Sequence, residues 1–167
     1  MNKNIVASFY KFSPWDSYSE YRDGLSDVCE RENILGTILI AKEGINGTVS
    51  GEKESIKNLI DYISSIEQFK DLVPKFSLAY GRTFRKMRVR LKKEIVSMGV
   101  SDVIPHHITG NALSSAEWDK LLEEDDVVVV DTRNKYEHSI GSFEGATFPN
   151  TDSFREFPNW ADKHLGK

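Results

Sequence analysis

The sequence contains only one cysteine, Cys29, in 167 residues. A single cysteine excludes an intrachain disulfide framework and any zinc site built from several cysteines. No apolar run approaches the roughly 18 residues that a membrane-spanning helix needs. The apolar stretch near the N-terminus is also too short for a signal peptide. We therefore expect a cytoplasmic protein without a membrane segment.

Common catalytic signatures are absent as well. The sequence shows no glycine-rich phosphate loop, no nucleophile with a paired base and no metal-binding cluster. His106 and His107 are adjacent in a predicted loop, where neighbours rarely face one ion, and no cysteine or carboxylate lies at ligand spacing. We predict no metal site, and no cofactor site is evident.

The apolar content is sufficient for a folded core, because hydrophobic residues make up 39% of the chain and aromatic residues 11%. Residues 1–98 alternate strand and helix patterns in the order β-α-β-β-α-β, followed by one further strand. This order predicts a ferredoxin-like α+β domain, in which two helices cover one face of an antiparallel sheet. The predicted elements are strands at Asn4–Phe12, Ile34–Ala41, Asn46–Ser50, Lys75–Tyr80 and Lys86–Val96, with helices from Asp16 or Ser17 to about Asn33 and over Glu52–Ile66.

Cys29 and the segment Lys42–Gly47 each have a structural interpretation. Cys29 lies on the apolar face of the first predicted helix, so we interpret it as a buried core residue rather than a reactive thiol. Lys42–Gly47 contains two glycines and an asparagine, which tolerate positive φ, so we predict a tight hairpin connection there.

Positive charge is concentrated in one short segment. The formal net charge is −4, but residues 82–93 hold seven basic side chains and no acidic one. From Lys86 the segment alternates, which places Met87, Val89 and Leu91 on one face of a strand and the basic residues on the other. Such a stripe is typical of a surface that contacts the phosphates of RNA or DNA. The alternative is a solvated edge strand whose charges deter aggregation. The candidate RNA-binding residues are Arg82, Arg85, Lys86, Arg88, Arg90, Lys92 and Lys93.

The remaining chain predicts a linker over residues 99–111 and an incomplete α/β domain over residues 112–167. Ser114 or Ser115 should cap a short helix, and the four valines Val127–Val130 predict a strand buried on both faces of a parallel sheet. Polar residues follow that strand, where sites in α/β folds gather. We expect Asp131 to bind Arg133 and Glu137 to hold Arg133 from one turn further on. A structural salt-bridge network is the interpretation we favour for these three side chains.

The sequence resembles the rhodanese-domain tRNA uridine hydroxylases, the UPF0176 group. The motifs that carry the resemblance are Ala41–Thr48, Phe84–Arg90 with Lys92–Val96, Asp131–Glu137 with Gly141, Phe143, Gly145, Ala146 and Pro149, and Phe154–Pro158. They occur in the family's order and span nearly the whole chain. The resemblance implies an acylphosphatase-like N-terminal domain followed by a rhodanese-like domain. It also implies oxygen-dependent formation of 5-hydroxyuridine at the tRNA wobble position, with the anticodon region of tRNA as the partner.

The chain departs from the family in one respect. By resemblance, the catalytic cysteine belongs to a loop beyond Lys167, and Cys29 lies in the wrong domain to replace it. Asp131, Arg133 and Glu137 match the family's Asp-x-Arg segment, which implies support of the active-site region rather than a nucleophilic role. We therefore expect the 167-residue chain by itself to be inactive.

Other functions remain open at this point. A rhodanese-type sulfurtransferase would fit the same resemblance, although fold-level analogy is weak evidence for chemistry. A non-catalytic RNA-binding module would fit the basic strand. Acylphosphatase activity has little support, because the loop near Phe12–Asp16 offers no arginine for a phosphate.

Overall fold

The computed structural model describes residues 3–96, 98–99, 111 and 113–165. The chain divides into two compact units, Met1–Val96 and Ser97–Lys167. We call them the N-terminal and C-terminal units. The predicted linker and its two histidines, His106 and His107, lie almost wholly outside the described residues. No helix in the described part of the chain is long and apolar enough to cross a membrane.

The N-terminal unit has the predicted order of elements. Short 3-10 turns precede the first helix at Tyr18–Glu20 and follow the second at Glu67–Phe69. The elements are β1 (Lys3–Phe12), α1 (Tyr21–Arg31), β2 (Leu35–Ala41), β3 (Gly44–Gly51), α2 (Lys53–Ser64), β4 (Lys75–Tyr80) and β5 (Met87–Leu91).

The five strands form one sheet in the order β4-β1-β3-β2-β5. The first four strands pair antiparallel, as a ferredoxin-like fold requires. The added strand β5 pairs parallel with β2, with Arg88 opposite Thr37 and Arg90 opposite Leu39. The sheet is therefore mixed, which corrects the prediction of a wholly antiparallel one.

The two faces of the sheet differ because alternate side chains point to opposite sides. Ala7, Phe9, Ile38, Val49 and Val89 lie on one face and pack with the helices in the core. From α1 the core receives Leu25, Val28 and Cys29, and from α2 it receives Ile56, Leu59 and Ile63. We call the other side of the sheet, which carries Ser8, Tyr10, Thr37, Thr48, Arg88 and Arg90, the open face.

Several predicted boundaries move. The first helix begins at Tyr21 rather than at Asp16 or Ser17, because a 3-10 turn occupies the preceding residues. It ends before Asn33, whose φ of 53° leaves the helical region. The last strand ends at Leu91 rather than at Val96.

The predicted Lys42–Gly47 connection is wrong in length. Ala41 pairs directly with Gly44, so only Lys42 and Glu43 form the turn, and residues from Gly44 onward belong to β3. Gly44 has a positive φ of 144°, as predicted for a glycine here. Gly47 serves close packing instead, since a Cβ on it would lie 2.5 Å from the ring of the buried Phe9.

The described residues of the C-terminal unit form three helices, α3 (Ser115–Leu121), α4 (Lys135–His138) and α5 (Phe157–His164), with a 3-10 turn at Phe154–Glu156. Ser114 caps α3 as predicted, in a capping box with Glu117. The prediction for the valine run is wrong. Among the described residues only Val130 makes a bridge, parallel to Thr147, and Val128 is 66% exposed.

Candidate functional site

The basic segment is displayed at the edge of the N-terminal sheet. Arg88 and Arg90 point from β5 onto the open face, and both are exposed. Lys86 and Lys92 lie just outside the strand, but their backbone continues the pairing with β2: Gly36 N–H donates to Lys86 O at 3.2 Å, and Lys92 N–H donates to Ile40 O at 2.9 Å. The alternation predicted for these four cations therefore persists across the strand ends.

The apolar side of β5 is only partly as predicted. Val89 is buried in the core and Met87 is half-buried against it. Leu91, the last residue of this edge strand, is 45% exposed.

Arg82 has a structural role within the loop before β5. Its Nε donates to Phe84 O at 3.1 Å, and its Nη2 donates to Arg85 O. Two of its donors therefore hold loop carbonyls, which fixes the loop geometry and leaves part of the guanidinium exposed. Arg85 and Lys93 are exposed at the two ends of the segment.

The other cations of the segment differ from most of those elsewhere in the unit. Lys11, Lys57 and Lys70 form ion pairs with Asp71, Asp61 and Glu67. Among the described residues, by contrast, no salt bridge involves Arg85, Lys86, Arg88, Arg90, Lys92 or Lys93. An unneutralised cluster of this kind creates a local positive potential that the net charge conceals.

The two-residue turn Lys42–Glu43 connects three segments of the chain. The Lys42 carbonyl accepts from Trp15 N–H at 2.8 Å, and the Glu43 carbonyl accepts from Ser13 N–H at 2.9 Å. The Glu43 carboxylate also accepts from Ile95 N–H, at 2.5 Å. These bonds give the turn a structural role and fix where the chain leaves β5.

Cys29 is a core residue, as predicted. Its side chain has no exposed surface, and burial raises the pKa of the thiol to about 12. A thiol that stays protonated at neutral pH is a poor nucleophile.

Asp131 is the centre of a hydrogen-bond network in the C-terminal unit. Its carboxylate accepts two bonds from Arg133, Nε at 2.9 Å and Nη2 at 2.7 Å. Ser142 Oγ donates to it at 2.8 Å, and His138 Nδ1 lies 3.2 Å from the same oxygen. The bonds from Arg133, followed by those from Ser142 and His138, hold the pKa of Asp131 well below its usual range.

Part of this network departs from the sequence-based expectation. Glu137 makes no hydrogen bond to Arg133 in the described structure. It caps α4 instead, accepting from Asn134 N–H at 3.2 Å and from Asn134 Nδ2 at 3.1 Å. Nη2 of Arg133, which also binds Asp131, donates to Gly141 O at 2.6 Å. The sequence pattern did not identify His138 and Ser142, because their contact with Asp131 depends on how the chain folds back after α4.

We predict that Asp131→Asn destabilises the C-terminal unit at neutral pH. Because folding lowers the pKa of Asp131, its stabilising contribution is present above the ordinary carboxyl pKa of about 3.9 and is lost as the pH falls below it. The difference between wild type and variant should therefore shrink in acid. Amide exchange of residues 129–147 measures it, since Asp131 N–H donates to Thr147 O there and Thr147 N–H donates to Val129 O. The exposed Asp126→Asn is the control, and equal effects of both variants would contradict the prediction.

Comparison with known proteins adds a family description. The profile of the UPF0176 acylphosphatase-like domain matches residues 4–95. The tRNA uridine(34) hydroxylase of Mesorhizobium japonicum is 47% identical over 159 residues, which are 95% of this chain and 52% of that protein. The enzyme of the same description from Acaryochloris marina is 43% identical and is covered to 52%. The chain thus spans about half the length of the curated relatives it matches.

Among solved structures, an acylphosphatase from Coxiella burnetii aligns with 53% of this chain and 94% of its own. The identity is 12% and the TM-score 0.38, a level of similarity that carries no argument about function.

Proposed function

Since this chain belongs to the UPF0176 family through its acylphosphatase-like domain, we propose that it is part of a tRNA uridine(34) hydroxylase and that its N-terminal unit binds the tRNA. The reaction is oxygen-dependent formation of 5-hydroxyuridine at the wobble position, with molecular oxygen as co-substrate. The C-terminal unit is the beginning of the rhodanese-like domain. The enzyme acts in the cytoplasm on the anticodon region, where loop bases are accessible without opening a duplex.

The observation that carries the binding proposal is the unpaired cationic cluster around β5. Edge protection alone does not explain it, because the opposite edge strand is not protected in this way. β4 carries a single cation, Lys75, and leaves Phe76, Leu78 and Tyr80 exposed. One edge of the sheet therefore tolerates exposed apolar side chains, while the other concentrates positive charge, which is the distribution expected of a phosphate-binding edge.

The proposal assigns different roles to the two groups of polar residues. Arg85, Lys86, Arg88, Arg90, Lys92 and Lys93 contact phosphates, and Arg82 orders the loop that presents them. Asp131, Arg133 and Glu137 support the active-site region structurally. Asp131 orients Arg133 through two hydrogen bonds, and Glu137 fixes the start of α4.

The experiment that tests the proposed function uses the 167-residue chain and a tRNA with uridine at position 34. We expect the chain to bind this tRNA but to form no 5-hydroxyuridine in air, because the cysteine loop that the resemblance implies is not among these residues. Fluorescence anisotropy measures binding, and mass spectrometry of the digested tRNA measures the product.

The full-length Mesorhizobium japonicum relative is the positive control for product formation. Absence of tRNA binding at low salt would contradict the binding role. Formation of 5-hydroxyuridine by the chain alone would contradict the expectation that these 167 residues bind tRNA but do not catalyse the reaction.

A further inference from the structure

The open face of the N-terminal sheet presents a polar row that crosses all five strands. The strand register aligns Arg88 of β5, Thr37 of β2, Thr48 of β3 and Ser8 of β1, and Lys75 of β4 is opposite Ser8. Neighbouring strands are about 4.8 Å apart, so the row extends for about 19 Å. Three hydroxyl groups thus lie between two cations, and Ser8 Oγ is 3.3 Å from Thr48 Oγ1.

Two aromatic side chains lie beside this row on the same face. Tyr10 and Phe12 are two residues apart on β1, and their rings meet edge to face with centroids 6.3 Å apart. Tyr10 is 65% exposed near the end of β1, where it pairs with Asn46 of β3. Its register continues through Asn46 and Leu39 to Arg90, so a second row connects an exposed aromatic ring to a cation.

The segment after β5 covers one part of the open face. Asn46 Nδ2 donates to Ile95 O at 3.0 Å, and Ile95 is buried there although it is not part of the core between sheet and helices. Ser8, Thr48, Arg88 and Tyr10 remain exposed beyond it. The open face therefore has a fixed border on one side, and the cations at both of its edges remain accessible.

We propose that the open face is a platform for single-stranded RNA, in which Tyr10 stacks on a base while Arg88 and Arg90 hold phosphates and the hydroxyl row contacts riboses. This inference rests on the proposed function and specifies the surface involved. Aromatic rings stack on unpaired bases, and serine and threonine hydroxyls both donate to and accept from the ribose 2′-OH. Among the described side chains named in the two rows, no carboxylate opposes the phosphates.

The charge distribution selects RNA over an apolar partner for this face. The exposed apolar row Phe76, Leu78 and Tyr80 faces the helix side of the sheet, because Phe76 is opposite the buried Ala7. The open face instead combines cations, hydroxyls and an aromatic ring, which is the combination that single-stranded nucleic acid requires.

The experiment compares Tyr10→Ala with Tyr80→Ala in the full 167-residue chain. Tyr80 is a matched control, since it is 69% exposed on a neighbouring strand but faces the other side. The probe is fluorescein-labelled oligouridylate of about ten nucleotides, within the usual range of site sizes. We expect Tyr10→Ala to lose about tenfold in affinity with an unchanged salt slope, because stacking involves no counterions. Tyr10→Phe and Tyr80→Ala should retain the wild-type affinity.

Amide chemical shifts locate the RNA independently of any variant. Titration with the same oligouridylate should shift the amides of Ser8, Thr37 and Thr48 and leave those of α2 unchanged. Chemical-shift changes centred on α2 would overturn the platform proposal. So would an equal loss of RNA affinity in Tyr10→Ala and Tyr80→Ala. If charge reversal at β5 weakens binding while Tyr10→Ala does not, the platform is overturned and the tRNA-binding function stands. If the wild-type chain binds no RNA, the proposed function itself fails.

Discussion

The double variant Arg88→Glu/Arg90→Glu is expected to bind tRNA about 100-fold more weakly than the wild type at moderate salt. Each arginine is exposed on the open face without an ion pair among the described residues, so its charge is available to a phosphate. A lost phosphate contact costs about 1.4 kcal/mol, or tenfold, so the loss of two contacts corresponds to about 100-fold. Fluorescence anisotropy with labelled tRNA measures the change.

The matched control reverses two cations in the helix layer. Arg22→Glu/Lys53→Glu produces the same change in net charge, and both residues lie in the first turn of a helix, where a glutamate is favourable. We expect this control to bind nearly as well as the wild type. Equal weakening by both double variants would mean that binding follows the net charge rather than the β5 edge.

The second large effect is expected for stability. Gly44→Ala should destabilise the N-terminal unit by about 3 kcal/mol, because two costs combine at this position. Gly44 has a φ of 144°, and a Cβ there would fall well inside the van der Waals radius of the Lys11 carbonyl oxygen on the paired strand. Backbone of a central strand pair cannot move aside without breaking the β1–β3 ladder. Thermal unfolding followed by circular dichroism should show a midpoint about 15 °C lower.

Gly81→Ala separates the two costs. Gly81 has a φ of 76°, but an added Cβ would meet nothing within 4 Å. This variant should lose only the conformational cost of about 1 kcal/mol. Similar melting temperatures for Gly44→Ala and Gly81→Ala would show that the close approach to Lys11 is not what requires the glycine.

Local patterns predicted several elements whose formation depends on their own sequence. The strand predicted at Lys75–Tyr80 matches β4 to the residue, and Ser114, one of the two predicted caps, precedes α3. The helical spacing that placed Cys29 in the core is confirmed by its complete burial. In each of these cases, the feature that was predicted depends on residues of a single helix or strand.

Features set by contacts between distant residues were not predictable in this way. The end of β5 depends on Glu43, whose carboxylate binds the backbone of Ile95 52 residues further along. The four valines met the usual description of a doubly buried strand, yet burial requires neighbouring elements that the pattern itself cannot supply. The Glu137 carboxylate accepts hydrogen bonds from Asn134 rather than from Arg133, because a capping box at the start of α4 uses the same carboxylate.

In the basic segment, one feature was predictable from the local pattern and another depended on contacts with a distant strand. Its alternation placed the cations on one face of a strand, and the structure confirms this for Arg88 and Arg90. The parallel pairing with β2, which brings those arginines into register with Thr37 and Leu39, emerged only from the fold. The same fold brought Tyr10 and the hydroxyl row onto the face that the arginines share.

The measurement that tests the central claim most directly is the salt dependence of tRNA affinity for the wild type and for Arg88→Glu/Arg90→Glu. If β5 neutralises phosphates, a plot of log affinity against log salt concentration is steep for the wild type. For the double variant the slope should be shallower by about 1.4, the value for two contacts with a single strand. A wild-type slope near zero, or parallel lines for the two proteins, would contradict the account.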